Sequence, residues 1–172
     1  MVLDTSAFFA GFDPFALDKE QVTVPKVYDE IKTISMSQVR FNTAIESGKV
    51  KIKIPQEEYL NKIRTSASKI GDSYLLSETD IQLLALALEL KTEGEYPEII
   101  TDDYSIQNVA KQNNIDFYAL TTFGIRQLLE WIRYCPACYK EYSINSTVNT
   151  CQVCGTELKR KPKRTKKKTK IS

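Results

Sequence analysis

The chain has 172 residues, a net charge of +2, 42% hydrophobic residues, four cysteines and no histidine. That length suits one ordinary domain with a small appendage, and the missing histidine excludes Ser-His-Asp and Cys-His catalysis within the chain. No stretch approaches the length of a membrane span, Met1-Val2-Leu3-Asp4 lacks the basic and apolar runs of a secretory signal, and there is no P-loop or glycine-rich dinucleotide fingerprint; the expectation is a cytoplasmic protein without a membrane partner.

In chain order, residues 1–3 predict a short buried strand running into Asp4-Thr5-Ser6, which caps a short helix ending at Gly11. Asp13-Pro14 starts a turn. Gln21–Val24 reads as a second strand, and Pro25 opens a helix in which Val27, Ile31 and Ile34 recur at helical spacing beside Glu30. A further helix is expected over Ser37–Glu46. Val50–Ile54 alternates as a strand, and Pro55 opens an amphipathic helix over about 56–70. Ser77-Glu78-Thr79-Asp80 resembles a capping box, and Ile81, Leu84, Ala85 and Leu88 form the buried face of the helix behind it. Gly94 and Pro97 end that helix. Glu98–Thr101 predicts a strand entering Asp102-Asp103, followed by a helix over Tyr104–Asn113, a strand over Ile115–Leu120 and a helix over Gly124–Trp131. Strands and helices alternate without an internal repeat, which argues for an α/β domain with a mainly parallel sheet and helices on both faces.

Cys135-Pro136-Ala137-Cys138 and Cys151-Gln152-Val153-Cys154-Gly155 hold all four cysteines. Two C-x-x-C pairs at this spacing match a closed, tetrahedral zinc site, and four protein ligands leave no position for substrate, so the expected Zn²⁺ is single and structural. Two disulfides or four free thiols are the other readings, and disulfides belong to secreted chains. Nine of the twelve residues Lys159–Lys170 are basic; without them 15 basic residues face 22 acidic ones, a net of −7. A disordered tail over 159–172 that attracts phosphates, or merely solubilises, follows from this composition.

The acids fall at the ends of strands. Asp4 closes the first strand, Asp102 and Asp103 close another, and Asp80 sits in a helix's first turn. Sites in open α/β sheets form beyond the carboxyl ends of strands. Carboxylates converging there would repel one another, and Mg²⁺ or Mn²⁺ would relieve that repulsion with oxygen ligands. Each acid also has a structural reading: Asp4, Asp80 and the Asp102/Asp103 pair as helix caps, and Glu30 on a solvated helical face.

Val2-Leu3-Asp4-Thr5-Ser6-Ala7, Val27-Tyr28-Asp29-Glu30-Ile31, Ser77-x-x-Asp80 and Thr101-Asp102-Asp103 together resemble the motifs of PIN-domain nucleases. With the cysteine module and Thr101–Asn108, the chain is similar to the archaeal NIN-one-binding (NOB-one) endonuclease family over residues 1–158. That resemblance implies a PIN-like three-layer domain over 1–125, a connector over 126–134 and a zinc ribbon over 135–158, with the basic tail outside it. It implies a Mg²⁺- or Mn²⁺-dependent endoribonuclease that matures the 3′ end of small-subunit ribosomal RNA by hydrolysing a phosphodiester in single-stranded RNA, leaving a 3′-hydroxyl and a 5′-phosphate. Catalytic positions carry over to Asp4, Glu30, Asp80 and Asp102/Asp103, with one or two ions on Asp4, Asp80 and either member of the pair, and Thr5, Ser6 and Thr101 as supporting hydroxyls. Partners would be precursor rRNA, the pre-small subunit and another assembly factor. RNA contacts would come from Lys140, Lys159, Arg160, Lys161, Lys163, Arg164, Lys166, Lys167, Lys168 and Lys170. The rival functions are a non-catalytic RNA-binding assembly factor and a toxin-type PIN nuclease acting on tRNA.

Overall fold

The computed structural model describes residues 1–31, 35–125 and 128–163, with only the backbone described over 35–37. These form two compact units, Met1–Leu128 and a second beginning at Leu129. Ile34, Arg164, Lys166, Lys167, Lys168 and Lys170 lie outside the described residues. Among those described, no helix is long and apolar enough to cross a membrane.

The first unit runs β1 (Val2–Leu3), α1 (Thr5–Phe9), a 3₁₀ turn (Pro14–Ala16), β2 (Gln21–Thr23), α2 (Pro25–Ile31), α3 (Ser35–Glu46), β3 (Val50–Ile52), α4 (Glu57–Ile70), α5 (Glu78–Thr92), β4 (Glu98–Ile100), α6 (Tyr104–Gln112) and β5 (Asp116–Tyr118). The strands form one sheet in the order β3-β2-β1-β4-β5, with every pairing parallel. β1 sits at the centre, with Val2 opposite both Val22 and Ile99 and Leu3 opposite Ile100. Parallel strands all point the same way, so the residues following β1 and β4, Asp4 and Asp102-Asp103, emerge at one edge of the sheet. Asp4 N–H donates to the Ile100 carbonyl at 3.2 Å, extending the pairing one residue into that edge.

Val2, Leu3, Ile99 and Ile100 are buried, with Ile31, Phe41, Ile63, Leu83, Leu84 and Ile106 supplied by the helices. α5 buries more than the stripe its sequence suggests. Thr79, Ile81, Leu83–Ala87 and Leu90 are all buried, while Leu88 is only partly so. A helix packed on several sides reads as apolar around its circumference, and α5 touches β1, β4, α4 and α6. Its start is fixed by a full capping box: Ser77 Oγ accepts from Asp80 N–H at 3.2 Å, and Asp80 Oδ2 accepts from Ser77 N–H at 2.7 Å. α4 ends on Gly71, whose φ of 80° is the left-handed conformation a helix stop requires.

The second unit is a three-stranded antiparallel sheet, β7-β6-β8, of β6 (Trp131–Tyr134), β7 (Glu141–Tyr142) and β8 (Lys159–Pro162). Two local expectations are corrected. The described residues of Gly124–Trp131 form no helix, and Trp131 instead begins β6. Lys159–Pro162, expected in a disordered tail, forms β8 over a four-residue register with β6. The physical reason is side-chain stacking that a compositional reading ignores. The Arg160 guanidinium lies 4.0 Å from the Trp131 ring centroid, and Lys161 Nζ lies 4.7 Å from that of Tyr134. Lys161 also pairs with Glu141 at 2.7 Å and Lys163 with Glu130 at 3.0 Å. The carbon stems of basic residues thus supply the apolar cover that an aliphatic strand would.

Ser77→Ala removes the acceptor that receives the Asp80 N–H and should lower unfolding stability by about 1 kcal/mol. Urea denaturation of the two proteins, followed by far-UV circular dichroism, measures this.

Candidate active site and cysteine centre

Asp4 follows β1 and is 5% exposed. Its Oδ1 accepts from Thr5 N–H at 2.7 Å, capping α1. Its Oδ2 accepts from Ser6 Oγ at 2.6 Å and Thr101 Oγ1 at 2.8 Å. The same two hydroxyls receive the next backbone donors, Asp102 N–H on Ser6 Oγ and Asp103 N–H on Thr101 Oγ1, each at 3.1 Å. β1 and β4 are therefore stitched together at their carboxyl ends by an alternation of carboxylate, hydroxyl and amide. Burial pushes the Asp4 carboxyl above its ordinary value, and the hydrogen bonds from Ser6, Thr101 and Thr5 offset only part of that.

Glu30, on α2, ties three helices at one point. Its Oε2 accepts from Thr5 Oγ1 and its Oε1 from Thr79 Oγ1, both at 2.6 Å. Thr5 begins α1, and Thr79 lies in the first turn of α5. Thr79 was missed by sequence reasoning. The signal available was its place inside Ser77-Glu78-Thr79-Asp80, where a β-branched hydroxyl in the first turn faces inward while Asp80 closes the box.

Asp80 is the strained member. Burial raises its carboxyl to about 6 against the hydrogen bonds from Ser77, and the charges of Asp103 and Asp4 push it the same way. The charges of Asp103 and Asp4 thus both reach Asp80, and no ion pair to any of the three exists among the described residues. Asp80 Oδ1 and Asp103 Oδ2 accept no hydrogen bond among the described residues, while Asp103 Oδ1 caps α6 through Ser105 N–H at 2.6 Å.

Asp102 behaves oppositely. Its carboxylate turns to the loop after β5 and accepts from the N–H groups of Leu120, Thr121 and Thr122, each at 3.0 Å to Oδ1. The hydroxyls of Thr121 and Thr122 add bonds at 2.7 and 3.2 Å. These hydrogen bonds, from Thr122 and Thr121, outweigh desolvation and hold Asp102 down at about 2. The loop it gathers was not foreseen from the sequence.

Donor chemistry tests which groups fit an ion. Asp4, Asp80 and Asp103 offer oxygen donors, negative charge and, in Asp80, a carboxyl raised by burial and then by its like-charged neighbours. A divalent cation suits such a set. In the second unit the four cysteine Sγ atoms lie within 4.8 Å of one another, with Cys135–Cys154 at 3.3 Å and Cys138–Cys151 at 3.4 Å. A tetrahedral zinc–thiolate centre with bonds of about 2.3 Å has sulfur–sulfur edges of about 3.8 Å, so the cluster fits such an ion. Each C-x-x-C turn closes through its first cysteine: Tyr139 N–H donates to Cys135 O at 2.9 Å and Gly155 N–H to Cys151 O at 2.8 Å. Tyr139 and Gly155 occupy equivalent left-handed positions, φ 61° and 73°. Tyr142 Oη donates to Cys151 Sγ at 3.2 Å and accepts from Gln152 N–H at 3.0 Å, a support for the ligand shell that spacing alone did not reveal. Lys140 and Lys159 are exposed, whereas Arg160, Lys161 and Lys163 carry the stacking and ion pairs described above.

A parallel five-stranded α/β unit with acids gathered at the carboxyl edge has a known counterpart: the model of the PIN domain of ribonuclease matches residues 1–90. The first unit is that of a PIN-domain ribonuclease. The chain is 37% identical over 171 residues to the endoribonuclease Nob1 of Methanocaldococcus jannaschii, across 98% of this chain and 82% of that protein. It is 37% identical over 164 residues to the endoribonuclease Nob1 of Pyrococcus abyssi, across 95% and 94%. The 20S-pre-rRNA D-site endonuclease nob1 of Schizosaccharomyces pombe shares 33% identity over 94 residues, 54% of this chain and 24% of that protein. With both units covered by the archaeal relatives, the chain belongs to the Nob1 family of endoribonucleases.

Two outcomes follow from the charge and sulfur geometry. Asp80 titrates near 6 when folded and near 3.8 when not, so the folded chain holds a proton that the unfolded chain gives up between those values. The stability this confers is complete below about pH 4 and is lost as pH rises through about 6. Without divalent cations, the melting temperature of Asp80→Asn should therefore fall less from pH 4 to pH 7 than that of the wild type, a comparison made by differential scanning fluorimetry. Removing the ion from a four-thiolate centre should abolish the β6–β8 amide protection while leaving that of β1 and β4, measured by hydrogen exchange with and without a chelator.

Proposed function

We propose that the chain is a Mg²⁺- or Mn²⁺-dependent endoribonuclease that cuts precursor small-subunit ribosomal RNA at its 3′ end, within single-stranded RNA, leaving a 3′-hydroxyl and a 5′-phosphate. The observation that carries this reading is the set Asp4, Asp80 and Asp103, in which the charges of Asp103 and Asp4 both act on a half-buried Asp80, without an ion pair to any of the three among the described residues. The names of the relatives, which include a pre-rRNA D-site endonuclease, supply the substrate.

Asp4, Asp80 and Asp103 would hold the ion, and Asp80 Oδ1 and Asp103 Oδ2 are the oxygens open to it. When bound, a divalent cation supplies acidification of water and neutralisation of charge on the phosphate. The chain's own part is positional. Asp4 is fixed by Thr5, Ser6 and Thr101, and Glu30 is held by Thr5 and Thr79 where it can orient water at the site. Asp102 is spent on the loop 120–122, so Asp103 is the ligand of the pair. With no histidine in the chain, a carboxylate or hydroxide takes the proton.

The second unit would hold one structural Zn²⁺ and, with Lys140, Lys159 and the residues after it, grip the RNA backbone through salt-sensitive phosphate contacts. Partners would be the pre-small subunit and an assembly factor docked on it in the cytoplasm.

A labelled RNA spanning the small-subunit 3′ end, incubated with Mn²⁺ or Mg²⁺, tests this. The wild type is expected to cut at one place and to stop with EDTA. Asp103→Asn should lose roughly a hundredfold or more in rate, with a higher Mn²⁺ requirement. Asp102→Asn should keep the wild-type Mn²⁺ dependence and lose far less. Tight binding with intact RNA under every metal would favour the non-catalytic assembly factor.

A further inference from the structure

The loop over 119–125, after β5, is clamped twice. Asp102 fixes its start through the N–H groups of Leu120, Thr121 and Thr122 and the hydroxyls of Thr121 and Thr122. Gln107 fixes it further on: Gln107 Oε1 accepts from Ile125 N–H at 2.9 Å, while Gln107 Nε2 donates to Thr101 O at 3.0 Å. Gly124 adopts φ +62° there, packed against Gln107, Ala119 and Phe117. Both clamps belong to β4–α6, the segment that carries Asp103.

Between the clamps stands Phe123, 97% exposed. Neither clamp restrains its ring, yet the backbone on both sides is tied down. Tyr104, half exposed, directly follows Asp103 at the start of α6. Two exposed aromatic residues are thus tied to the segment that carries the acids, Tyr104 by sequence adjacency to Asp103 and Phe123 through the loop that Asp102 holds. The comparably exposed Tyr96 precedes β4 and lies at the amino end of the strands, away from the acids.

We propose that Phe123 is a stacking platform for an unpaired base of the RNA next to the phosphate being cut. The acids themselves repel a polyanion, so beyond what a bound cation neutralises, attraction at this edge gains from a contact that does not depend on charge. Aromatic rings provide it, because every base has a π-face and stacking ignores sequence. A ring held on a fixed loop accepts a base only when that base is unstacked and unpaired, which would make Phe123 a selector of single-stranded substrate. Spending the whole Asp102 carboxylate on five donors of one loop also becomes intelligible, since a platform that moves relative to Asp103 could not set the position of the phosphate.

The inference rests on the nuclease reading, and its test separates the two. Wild type, Phe123→Ala and Phe123→Trp are compared as full chains on a single-stranded RNA and on the same RNA annealed to its complement. Cleavage gives kcat/KM, and binding is measured in EDTA. Because Phe123 is solvated, Phe123→Ala should melt at the wild-type temperature. It should bind the single strand roughly tenfold more weakly and lose kcat/KM in proportion, with duplex binding unchanged. Phe123→Trp should restore both. If the wild type cuts and Phe123→Ala cuts equally well, the platform is overturned and the nuclease reading stands. Equal losses on single strand and duplex overturn it too, as does a Phe123→Ala chain that keeps RNA binding but loses self-association, which would make the ring a protein contact. A wild type that cuts no RNA removes the nuclease reading and the platform together.

Discussion

A buried carboxylate without a cation is the constraint on which the first unit turns. Asp4 sits at the end of the central strand, nearly sealed from water, with two hydroxyls and an amide on its oxygens. Burying an anion is costly unless its hydrogen bonds are met, and meeting them here recruits Ser6 from α1 and Thr101 just after β4. Those hydroxyls then take the amides of Asp102 and Asp103. The strand order places β1 between β2 and β4, so one acid after β1 can organise the ends of its neighbours. Glu30 repeats the device one layer out, using Thr5 and Thr79 to hold α1, α2 and α5 together. Fold and site share one set of polar contacts.

The alternation of strands with helices and the four-cysteine spacing were legible because both are local patterns, period two against period 3.6 and C-x-x-C against turn geometry. Acids at strand ends were legible because a parallel sheet delivers such residues to one edge. What could not be read depended on partners distant in sequence. Thr79 on Glu30 spans 49 positions, and Asp102 on the loop at 120–122 spans about twenty. β8 was hidden for another reason. Lys159-Arg160-Lys161 has the composition of a tail, and only Trp131, Tyr134 and Glu141 turn it into a strand. A charge run reads as solvated until something flat and aromatic is found to cover it.

Among the described residues of the second unit the only buried apolar side chains are Cys135 and Cys151, with Trp131, Ile132, Tyr134, Tyr142, Ile144, Val148 and Leu158 half-buried. Sheets this small seldom stand on packing alone. The cross-paired sulfurs, Cys135 with Cys154 and Cys138 with Cys151, pull the two turns together where a larger domain would use a core. Tyr139 accepts a left-handed backbone that glycine supplies freely at Gly155. Tyr139 N–H donates to Cys135 O, and the next carbonyl, Lys140 O, receives the Cys135 N–H, both at 2.9 Å, so two bonds to Cys135 hold the turn at the left-handed residue.

Asp102 and Asp103 show that capping a helix need not use up a carboxylate. Both are aspartates, adjacent, at the end of the same strand, and from sequence either could cap and either could bind an ion. Their surroundings separate them. Asp102 is saturated by five donors and titrates far below neutrality. Asp103 spends one oxygen on the α6 amide and leaves the other open. Asp80 divides itself likewise, one oxygen in the capping box and one free. A cap needs one lone pair and a carboxylate has about four, so the hydrogen bond that starts a helix also aims the remaining oxygen. Capping gives Asp80 and Asp103 a fixed direction at no cost in charge. A free side chain would have to surrender rotamer entropy on meeting an ion, whereas these two have already surrendered it to the helices they begin.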